Sequence, residues 1–147
     1  MVVTSGTINH VAITVSNLDE ALCFFEPLLD ALGFTYRERG EYAGTRLAMH
    51  LNPKTQIGIN IWQAKGEFAD QTFDVYAPGL HHLALNAESN RQVDAIADIV
   101  RKNGGTILDG PGEFPFAIGG YYAVYFTGPD GMKFEVVHMP ELSGNKE

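Results

Sequence analysis

A segment near the start of the chain recurs in its second half. Residues His10–Val15 read HVAITV, and residues His82–Ala87, at an offset of 72, read HLALNA. Small and polar residues occupy the same alternate positions in both, and each segment is followed by one helical pattern and three strand patterns. A repeated unit that cannot bury its sheet alone is expected to pair with its copy. The repeat therefore predicts an α+β fold built from two βαβββ units in a single domain.

Each unit contains one predicted helix. Ser16 is the expected N-cap of the first helix, Pro27 is expected to kink it, and Gly33 is expected to end it. The second helix is expected to start at Ser89 or Asn90 and to end near residue 103. The apolar stripe of the first helix, at helical spacing, consists of Leu18, Leu22, Phe25, Leu29 and Leu32.

Eight strands are predicted, separated by polar turns. The first unit should span about residues 7–63, a polar connection about 64–78, and the second unit about 79–139. The predicted strands are Thr7–Val15, Phe34–Arg39, Thr45–Leu51, Gln56–Gln63, Leu80–Ala87, Thr106–Asp109, Tyr121–Thr127 and Met132–His138.

Composition excludes several classes of function. The formal net charge of −8 argues against binding to nucleic acid, which needs clustered Lys and Arg. No stretch is apolar over the roughly 20 residues that a membrane span needs. A single cysteine, Cys23, excludes an internal disulfide and a thiolate metal cage. The first residues lack the charged and then apolar pattern of a signal peptide, so we expect a cytoplasmic protein.

Strand alternation assigns two histidines to equivalent surfaces. In the first strand Val11, Ile13 and Val15 form the apolar face, which leaves His10 on the side away from the helix. The equivalent residue of the fifth strand, His82, also lies away from its helix, whereas the neighbouring His81 is assigned to the apolar face. A lone strand histidine is usually an ordinary polar residue, but here two occur in symmetric positions.

The last strand of each unit adds a polar residue to the same surface. By alternation Asn60 and Glu135 share the sides of His10 and His82. If the two free faces curve around one cleft, two imidazoles and one carboxylate converge, which is the facial triad of a divalent first-row metal. Asn60 would be a neutral oxygen ligand or would hold a metal-bound water. A buried carboxylate without a partner is costly, which favours the metal site over an unpaired Glu135.

Three residues of the first unit are candidates for the substrate pocket. The apolar residues of Thr45–Leu51 are assigned to the helix side, which puts Arg46 and His50 on the ligand side of the sheet. Arg46 would bind a substrate carboxylate or phosphate, with a strand ion pair as the alternative. His50 is a candidate base or a rim residue. Trp62, on the face of Asn60, is a candidate pocket floor or an ordinary core residue.

A glycine-rich segment in the second unit is a candidate lid. Residues Asp109–Gly120 contain four glycines and two prolines and precede the seventh strand. That strand carries Tyr121, Tyr122 and Tyr125, and alternation separates Tyr122 from the other two. We expect a tyrosine of this group to line the pocket and take Tyr122 as the candidate.

Three segments of the chain resemble the vicinal oxygen chelate superfamily, which includes glyoxalase I, bleomycin-resistance and fosfomycin-resistance proteins, and extradiol dioxygenases. They are INHVAITVSNLDEA near the start, GLHHLAL in the middle and GPDGMKFEVV near the end. The resemblance covers about Ile8–Met139. It implies paired βαβββ units that form a curved, cup-shaped mixed sheet with the helices outside. It also implies one divalent ion per site (Fe, Mn, Ni, Co or Zn) with His10, His82 and Glu135 as ligands.

The chain departs from the family pattern at two positions. Glyoxalase I usually has a Glu where this chain has Asn60, so one carboxylate that transfers protons would be missing. The acidic residue that usually precedes P-D-G is Gly128 here. By contrast, the metal-free members that sequester antibiotics usually lack the ligand histidines, and this chain has both.

The resemblance leaves three functions open. The first is a metal-dependent, glyoxalase-like lyase or isomerase acting on a substrate chelated through vicinal oxygens, with Glu135 as ligand only or also as base. The second is an Fe(II) extradiol ring-cleaving dioxygenase, although such members usually have four βαβββ units. The third is a non-catalytic protein that binds a small molecule or an antibiotic, as bleomycin-resistance proteins do.

The family also implies a homodimer. Two arrangements of the site are then compatible with the sequence. In one, each chain contributes all the ligands of its own site. In the other, His10 and His82 work with Asn60 and Glu135 of the second chain.

Overall fold

The computed structural model describes residues 4–117 and 119–140, which form two compact units divided as Met1–Thr72 and Phe73–Glu147. Each described unit has the order βαβββ, which confirms the α+β fold with two such modules. The first unit comprises β1 (His10–Val15), α1 (Leu18–Ala31), β2 (Tyr36–Tyr42), β3 (Thr45–Leu51) and β4 (Gly58–Gln63). The second comprises β5 (Leu83–Asn86), α2 (Asn90–Lys102), β6 (Thr106–Glu113), β7 (Tyr122–Thr127) and β8 (Lys133–His138). Short 3₁₀ turns lie at Gly66–Phe68 and Pro129–Gly131.

The two units have the same sheet topology. The strand order is β1-β4-β3-β2 in the first and β5-β8-β7-β6 in the second. In each sheet the first and last strands of the unit pair in parallel, and the other pairs are antiparallel. A parallel pair needs a crossover connection. The helix lies within that connection and covers one face of its sheet.

Capping hydrogen bonds and backbone conformation explain where the helices begin and end. The prediction of Ser16 as the first N-cap is wrong, because the side chain of Asn17 accepts a hydrogen bond from the Glu20 N–H at 3.2 Å. Ser89 caps α2 in the same way, with its Oγ 3.1 Å from the Gln92 nitrogen. Gly33, at φ +88°, follows α1 as expected.

Strand β6 is longer than predicted. It extends to Glu113, so much of the segment expected to be a lid is strand, and β7 begins at Tyr122. The pairing with β7 is irregular on both sides of Asp109. Gly110 has φ +77°, and a Cβ there would lie 2.4 Å from the carbonyl oxygen of Ala123. Only glycine fits so close to the neighbouring strand.

Each helix packs against one face of its own sheet. Helix α1 buries its stripe over β3 and β4, and α2 does so over β6, β7 and β8. Burial of each large apolar side chain contributes about 1.5–3 kcal/mol. In the part of the chain that the structure describes, no helix is long and apolar enough to cross a membrane. The largest fully buried apolar side chains are Phe25, Phe126, Leu18, Leu28, Leu29, Ile61, Ile96, Val15, Val93, Val100 and Val124.

Candidate functional site

The second unit holds a buried carboxylate on the face of its sheet that is turned away from α2. Glu135 on β8 is opposite Ala84 of β5 and Tyr125 of β7, and it is only 2% exposed. Its Oε2 lies 3.1 Å from Nε2 of His82. Since an isolated buried carboxylate is costly, this contact gives Glu135 the partner it needs. The structure thus brings together two of the predicted ligands, His82 and Glu135, within one chain.

Two phenols also contact this carboxylate. The Tyr121 hydroxyl donates a hydrogen bond to Oε1 of Glu135. The Tyr125 hydroxyl lies close enough to both Glu135 and Tyr121 to interact with them. Burial, followed by these contacts with the carboxylate, raises the pKa of Tyr125, and burial with the Glu135 contact also raises that of Tyr121. Both phenols therefore stay protonated at neutral pH and act as donors.

The ring of His82 is held from two sides. His82 directly precedes β5, and its Nδ1 lies 2.7 Å from Nδ1 of the neighbouring His81. Its ring also packs edge-on against Tyr125, with centroids 6.2 Å apart. A histidine that uses Nδ1 toward a neighbour presents Nε2 to the site, an arrangement typical of metal-ligating histidines. His81 is exposed, lies before the start of β5 and has its ring beside that of His82, so the prediction that it lies on the apolar face is wrong.

Aromatic rings from the loop before β7 surround the two tyrosines. Phe114 packs edge-on against Tyr125 at a centroid distance of 5.2 Å, and Phe116 against Tyr121 at 5.5 Å. The two phenylalanine rings stack on each other at 5.6 Å. Phe116 is 64% exposed, so one of its faces is open to solvent. This cluster holds the rings of the two phenols in place.

The first unit presents His10 and Asn60 on the equivalent face. His10 is opposite Gly58 in the parallel pair, and Asn60 is two residues further along β4. A Cβ at Gly58 would lie 3.1 Å from the His10 Cβ and 3.9 Å from the Asn60 Oδ1, so both side chains flank this glycine. His10 Nδ1 donates to Oδ1 of Asn9 at 2.7 Å. This contact leaves Nε2 of His10 as the acceptor of the ring.

Trp62 lies on the same face as Asn60, as the alternation predicts. It is opposite Leu47 of β3, and its ring packs edge-on against Tyr42 at a centroid distance of 6.2 Å. The position is compatible with a pocket floor, and the side chain is partly exposed.

The predicted faces of β3 are wrong. Arg46 pairs with Asp19 of α1 through contacts of 2.6 and 3.1 Å, and His50 Nε2 lies 3.5 Å from Oε1 of Glu26 of α1. Both side chains are therefore on the helix side. The apolar residues of β3 lie on the open face instead, since they are opposite Asn60 and Trp62. The helix side of this strand accommodates polar residues because carboxylates of α1 pair with them.

The predicted position of Tyr122 also needs correction. Its hydroxyl donates to Oδ1 of Asp94 on α2 at 2.7 Å, so the side chain lies on the helix side of the second sheet. The neighbouring β7 residues Val124 and Phe126, which alternate with it, are buried on that side as well. Tyr121 and Tyr125, not Tyr122, contact Glu135.

Two of the candidate pocket residues line small surface cavities elsewhere. Arg46 borders one of about 360 Å³ together with Thr45, Gln63 and Lys65. Tyr122 borders one of about 270 Å³ in the second unit. Neither cavity includes His82 or Glu135.

The comparisons with known proteins decide the family. The profile of the Glyoxalase/Bleomycin resistance protein/Dioxygenase superfamily matches residues 7–136. The chain belongs to this superfamily. It is 32% identical over 130 residues to the uncharacterized protein YqjT of Bacillus subtilis (strain 168), covering 88% of this chain and 96% of that protein. It is 31% identical to 2-epi-5-epi-valiolone epimerase of Actinomyces sp, covering 90% of this chain and 79% of the epimerase.

A solved structure of the superfamily matches the fold closely. The glyoxylase/bleomycin resistance protein/dioxygenase domain from Frankia sp. EAN1pec is 25% identical, with a TM-score of 0.75. The match covers 92% of this chain and 98% of that domain. The paired βαβββ units are therefore the superfamily architecture.

Members of this superfamily commonly bind a divalent metal, and the donors in the second unit fit one. Two ligand atoms that share an ion at bonds of about 2.1 Å lie about 3.0 Å apart at right angles and about 3.4 Å apart at the tetrahedral angle. The 3.1 Å between Nε2 of His82 and Oε2 of Glu135 falls in this range. Within either unit, the described residues contain no group of three His, Cys, Asp or Glu side chains gathered as a metal site.

Tyr121 and Tyr125 belong to the group of three tyrosines in which Tyr122 is the predicted pocket residue. The sequence itself indicates the position of Tyr125. Its neighbours Val124 and Phe126 are apolar and mark the helix side of β7, so alternation places Tyr125 on the opposite face. For Tyr121, which lies just before the strand, alternation carries less information. Its contact with Glu135 depends on the path of the preceding loop.

Proposed function

We propose that the protein is a divalent-metal-dependent isomerase that moves a proton at a carbon next to a carbonyl group. The substrate would be a small, oxygen-rich ketone with a hydroxyl on the adjacent carbon. The observation that carries the proposal is the buried Glu135 carboxylate in contact with His82 and two protonated phenols. The relative named as an epimerase supports an isomerase over a lyase.

Three side chains would hold the ion: His82 through Nε2, Glu135 through Oε2 and His10 through Nε2. The equivalence of His10 and His82 in the two repeats supports the third ligand. Asn60, which flanks Gly58 beside His10, would add an amide oxygen or hold a water molecule. When bound, a divalent ion supplies a Lewis acid that polarises the carbonyl and hydroxyl oxygens of the substrate.

The side chains of the protein would carry the proton. In this proposal Glu135 would detach from the ion to act as the base. The C–H bond next to the carbonyl breaks, its proton moves to the freed Oε2 of Glu135, and the electron pair moves toward the carbonyl oxygen. Protonated Glu135 then returns a proton to the substrate carbon, and the electron pair moves back from the oxygen to form the new C–H bond that completes the isomerisation. The hydrophobic rings of Phe114 and Phe116 behind the phenols would keep bulk water from the carboxylate.

A hydrogen-exchange experiment tests this function. The protein is purified without oxygen or chelator, and bound metal per chain is measured by elemental analysis. The metal-loaded protein is then incubated in D₂O with 2-hydroxycyclohexanone and dihydroxyacetone, and loss of the α-proton signal is followed by NMR. We expect exchange above the rate of buffer with the same metal, and a fall of about 10²-fold or more for Glu135→Gln.

Glu113→Gln provides the matched control. Glu113 is an exposed carboxylate of β6 in the same unit, opposite Tyr122 on the helix side. Its substitution should leave both exchange and bound metal unchanged. A metal-loaded wild type that exchanges neither ketone above background would contradict the proposal. Oxygen consumption with catechol after Fe(II) loading would favour the dioxygenase function instead.

The exposed ring of Phe116 favours a second candidate function, binding of a flat aromatic molecule without turnover. In that case an aromatic ligand would quench the fluorescence of the protein with saturation and would be recovered unchanged. Phe116→Ala should then weaken the binding, because aromatic stacking contributes about 0.5–1.5 kcal/mol.

A further inference from the structure

The two oxygens of the Glu135 carboxylate have different partners. Oε1 accepts a hydrogen bond from the Tyr121 hydroxyl, whereas Oε2 faces Nε2 of His82 at 3.1 Å. Tyr125 is opposite Glu135 in the strand register and interacts with both Glu135 and Tyr121, which places the two phenols at one carboxylate. Because Glu135 is only 2% exposed, its oxygens have little access to water, and these side chains provide their polar partners.

The two phenols are held in place by the strands and by neighbouring rings. Tyr125 is directly opposite Glu135 in the antiparallel pairing of β7 and β8, so the register aims it at the carboxylate. Tyr121 lies just before β7, and its ring packs against Phe116 at a centroid distance of 5.5 Å. Phe114 supports Tyr125 in the same way at 5.2 Å.

From this geometry we propose that Tyr121 and Tyr125 are positioning residues for Glu135: Tyr121 occupies Oε1, Tyr125 supports Tyr121 and the carboxylate, and Oε2 is left as the oxygen that contacts an ion or a substrate proton. The inference rests on the proposed metal-dependent function. A carboxylate with two free oxygens is able to bind an ion through one or through both. A hydrogen bond from a held phenol occupies Oε1 and fixes the rotation of the carboxylate group. Glu135 therefore binds an ion, or accepts a substrate proton, through Oε2, which lies beside His82.

Loss of a side chain that hydrogen-bonds a metal ligand weakens metal binding by a typical amount. Removing a side chain that hydrogen-bonds a metal-ligating group typically weakens metal affinity by about 10- to 100-fold. It should also change the coordination geometry, because Oε1 becomes free to approach the ion. A merely structural role for the tyrosines would change stability and leave the spectrum of a bound metal unaltered.

The test uses Co²⁺ as the probe with the full-length protein. Wild type, Tyr121→Phe, Tyr125→Phe and the double variant are titrated with Co²⁺ by calorimetry, and the visible absorption of each loaded protein is recorded. We expect Tyr121→Phe to weaken Co²⁺ binding by about 10- to 100-fold and to shift its visible bands, with a larger change in the double variant. Tyr125→Phe carries the test separately if Tyr121→Phe does not fold by circular dichroism.

The neighbouring Tyr122→Phe is the matched control. It removes the same hydroxyl from the next residue, where it contacts Asp94 on the opposite side of the sheet. Its Co²⁺ affinity and spectrum should equal those of the wild type.

Two results would overturn the inference, and they differ in what they say about the function. If the phenylalanine variants bind Co²⁺ with wild-type affinity and spectrum while His82→Ala loses binding, the inference fails and the metal-dependent function stands. If the wild type binds no Co²⁺, the proposed function fails and the inference fails with it.

Discussion

His50 is an ionisable residue in a position that water does not reach. Its side chain has no exposed surface, and Nδ1 has no hydrogen-bond partner among the described residues. Burial lowers the pKa of His50, and the nearby Arg39 and Arg37 lower it further, against the opposing effect of Glu26. The folded protein therefore favours the neutral form of the His50 ring.

This position predicts a loss of stability in mild acid. The unfolded chain takes up a proton at His50 near the ordinary pKa of 6.5, whereas the folded protein does so only at lower pH. The contribution of His50 to the free energy of unfolding should therefore be fully present above pH 6.5. It should be lost as the pH falls from 6.5 through the lowered pKa. Urea unfolding between pH 7.5 and 5 measures this dependence.

His50→Gln should flatten that pH dependence, because the unfolded state no longer gains a proton at this residue. His138→Gln is the matched control, since His138 is a partly exposed histidine of β8 that bonds to Asn90. It should keep most of the wild-type slope. An equal slope in wild type and His50→Gln would contradict the assignment.

At the scale of elements, the last strand of each unit contacts the start of the helix of that unit. Gln63, at the end of β4, accepts the Leu18 N–H at 2.8 Å and donates to the Ser16 carbonyl at 2.7 Å. His138, at the end of β8, donates to Oδ1 of Asn90, the first residue of α2, at 2.8 Å. The parallel pairing brings both strand ends to the edge where the helix begins. The first N–H groups of a helix lack partners within the helix, and the Gln63 contact satisfies the one of Leu18, whereas His138 contacts the side chain of Asn90.

Gln63→Leu should therefore destabilise the protein by about 1–3 kcal/mol, because the Leu18 N–H loses its acceptor. The midpoint of urea unfolding reports this change. Gln71→Leu, at an exposed position of the connection between the units, should change stability by no more than about 0.5 kcal/mol. Equal midpoints for the two variants would show that the contact with the helix contributes nothing.

A second prediction concerns the stability of α1 and its N-cap. Asn17→Ala should cost about 1 kcal/mol of unfolding free energy, because the Glu20 N–H loses its acceptor, whereas Asn17→Gly should cost only a few tenths. Thermal unfolding of the two variants checks the order. If glycine costs as much as alanine, the side chain of Asn17 does not act as the cap.

At the scale of the whole molecule, the question is whether one ion joins the two units. A ligand that binds only the folded protein stabilises it by about 2.7 kcal/mol at 100 times its Kd. If His10 and His82 share one ion, His10→Ala and His82→Ala should each abolish the rise in Tm that Mn²⁺ or Co²⁺ produces. His138→Ala should retain the rise. A full rise in His10→Ala would assign the ion to the second unit alone.

The homodimer expected from the family resemblance stays a prediction, which light scattering on a sizing column checks. Mixing His10→Ala with Glu135→Gln subunits tests the arrangement of the site. Since His82 and Glu135 of one chain are in contact, the residue that a partner could supply is His10. Mixed dimers regain metal binding only if His10 of one chain works with Glu135 of the other. No recovery after verified subunit exchange indicates a site within one chain.

Local patterns in the sequence determined the two-unit fold. The repeated HVAITV and HLALNA segments and the helical stripe of α1 identify the βαβββ order, because alternation and helical spacing are properties of neighbouring residues. The candidate ligands His10, His82 and Glu135 could be named for the same reason, as polar residues at equivalent positions of apolar strands.

Which face of a strand packs on the helix, and which side chains contact one another, follows from the folded arrangement and not from local patterns. Alternation divides the residues of β3 into two sets but does not say which set lies under α1, and here the set containing Arg46 and His50 does so because Asp19 and Glu26 pair with it. The choice of Tyr121 over Tyr122 depends in the same way on the loop and the register that bring its hydroxyl to Glu135. Such contacts join residues far apart in the chain, and their energies depend on burial and on partners that no local pattern contains.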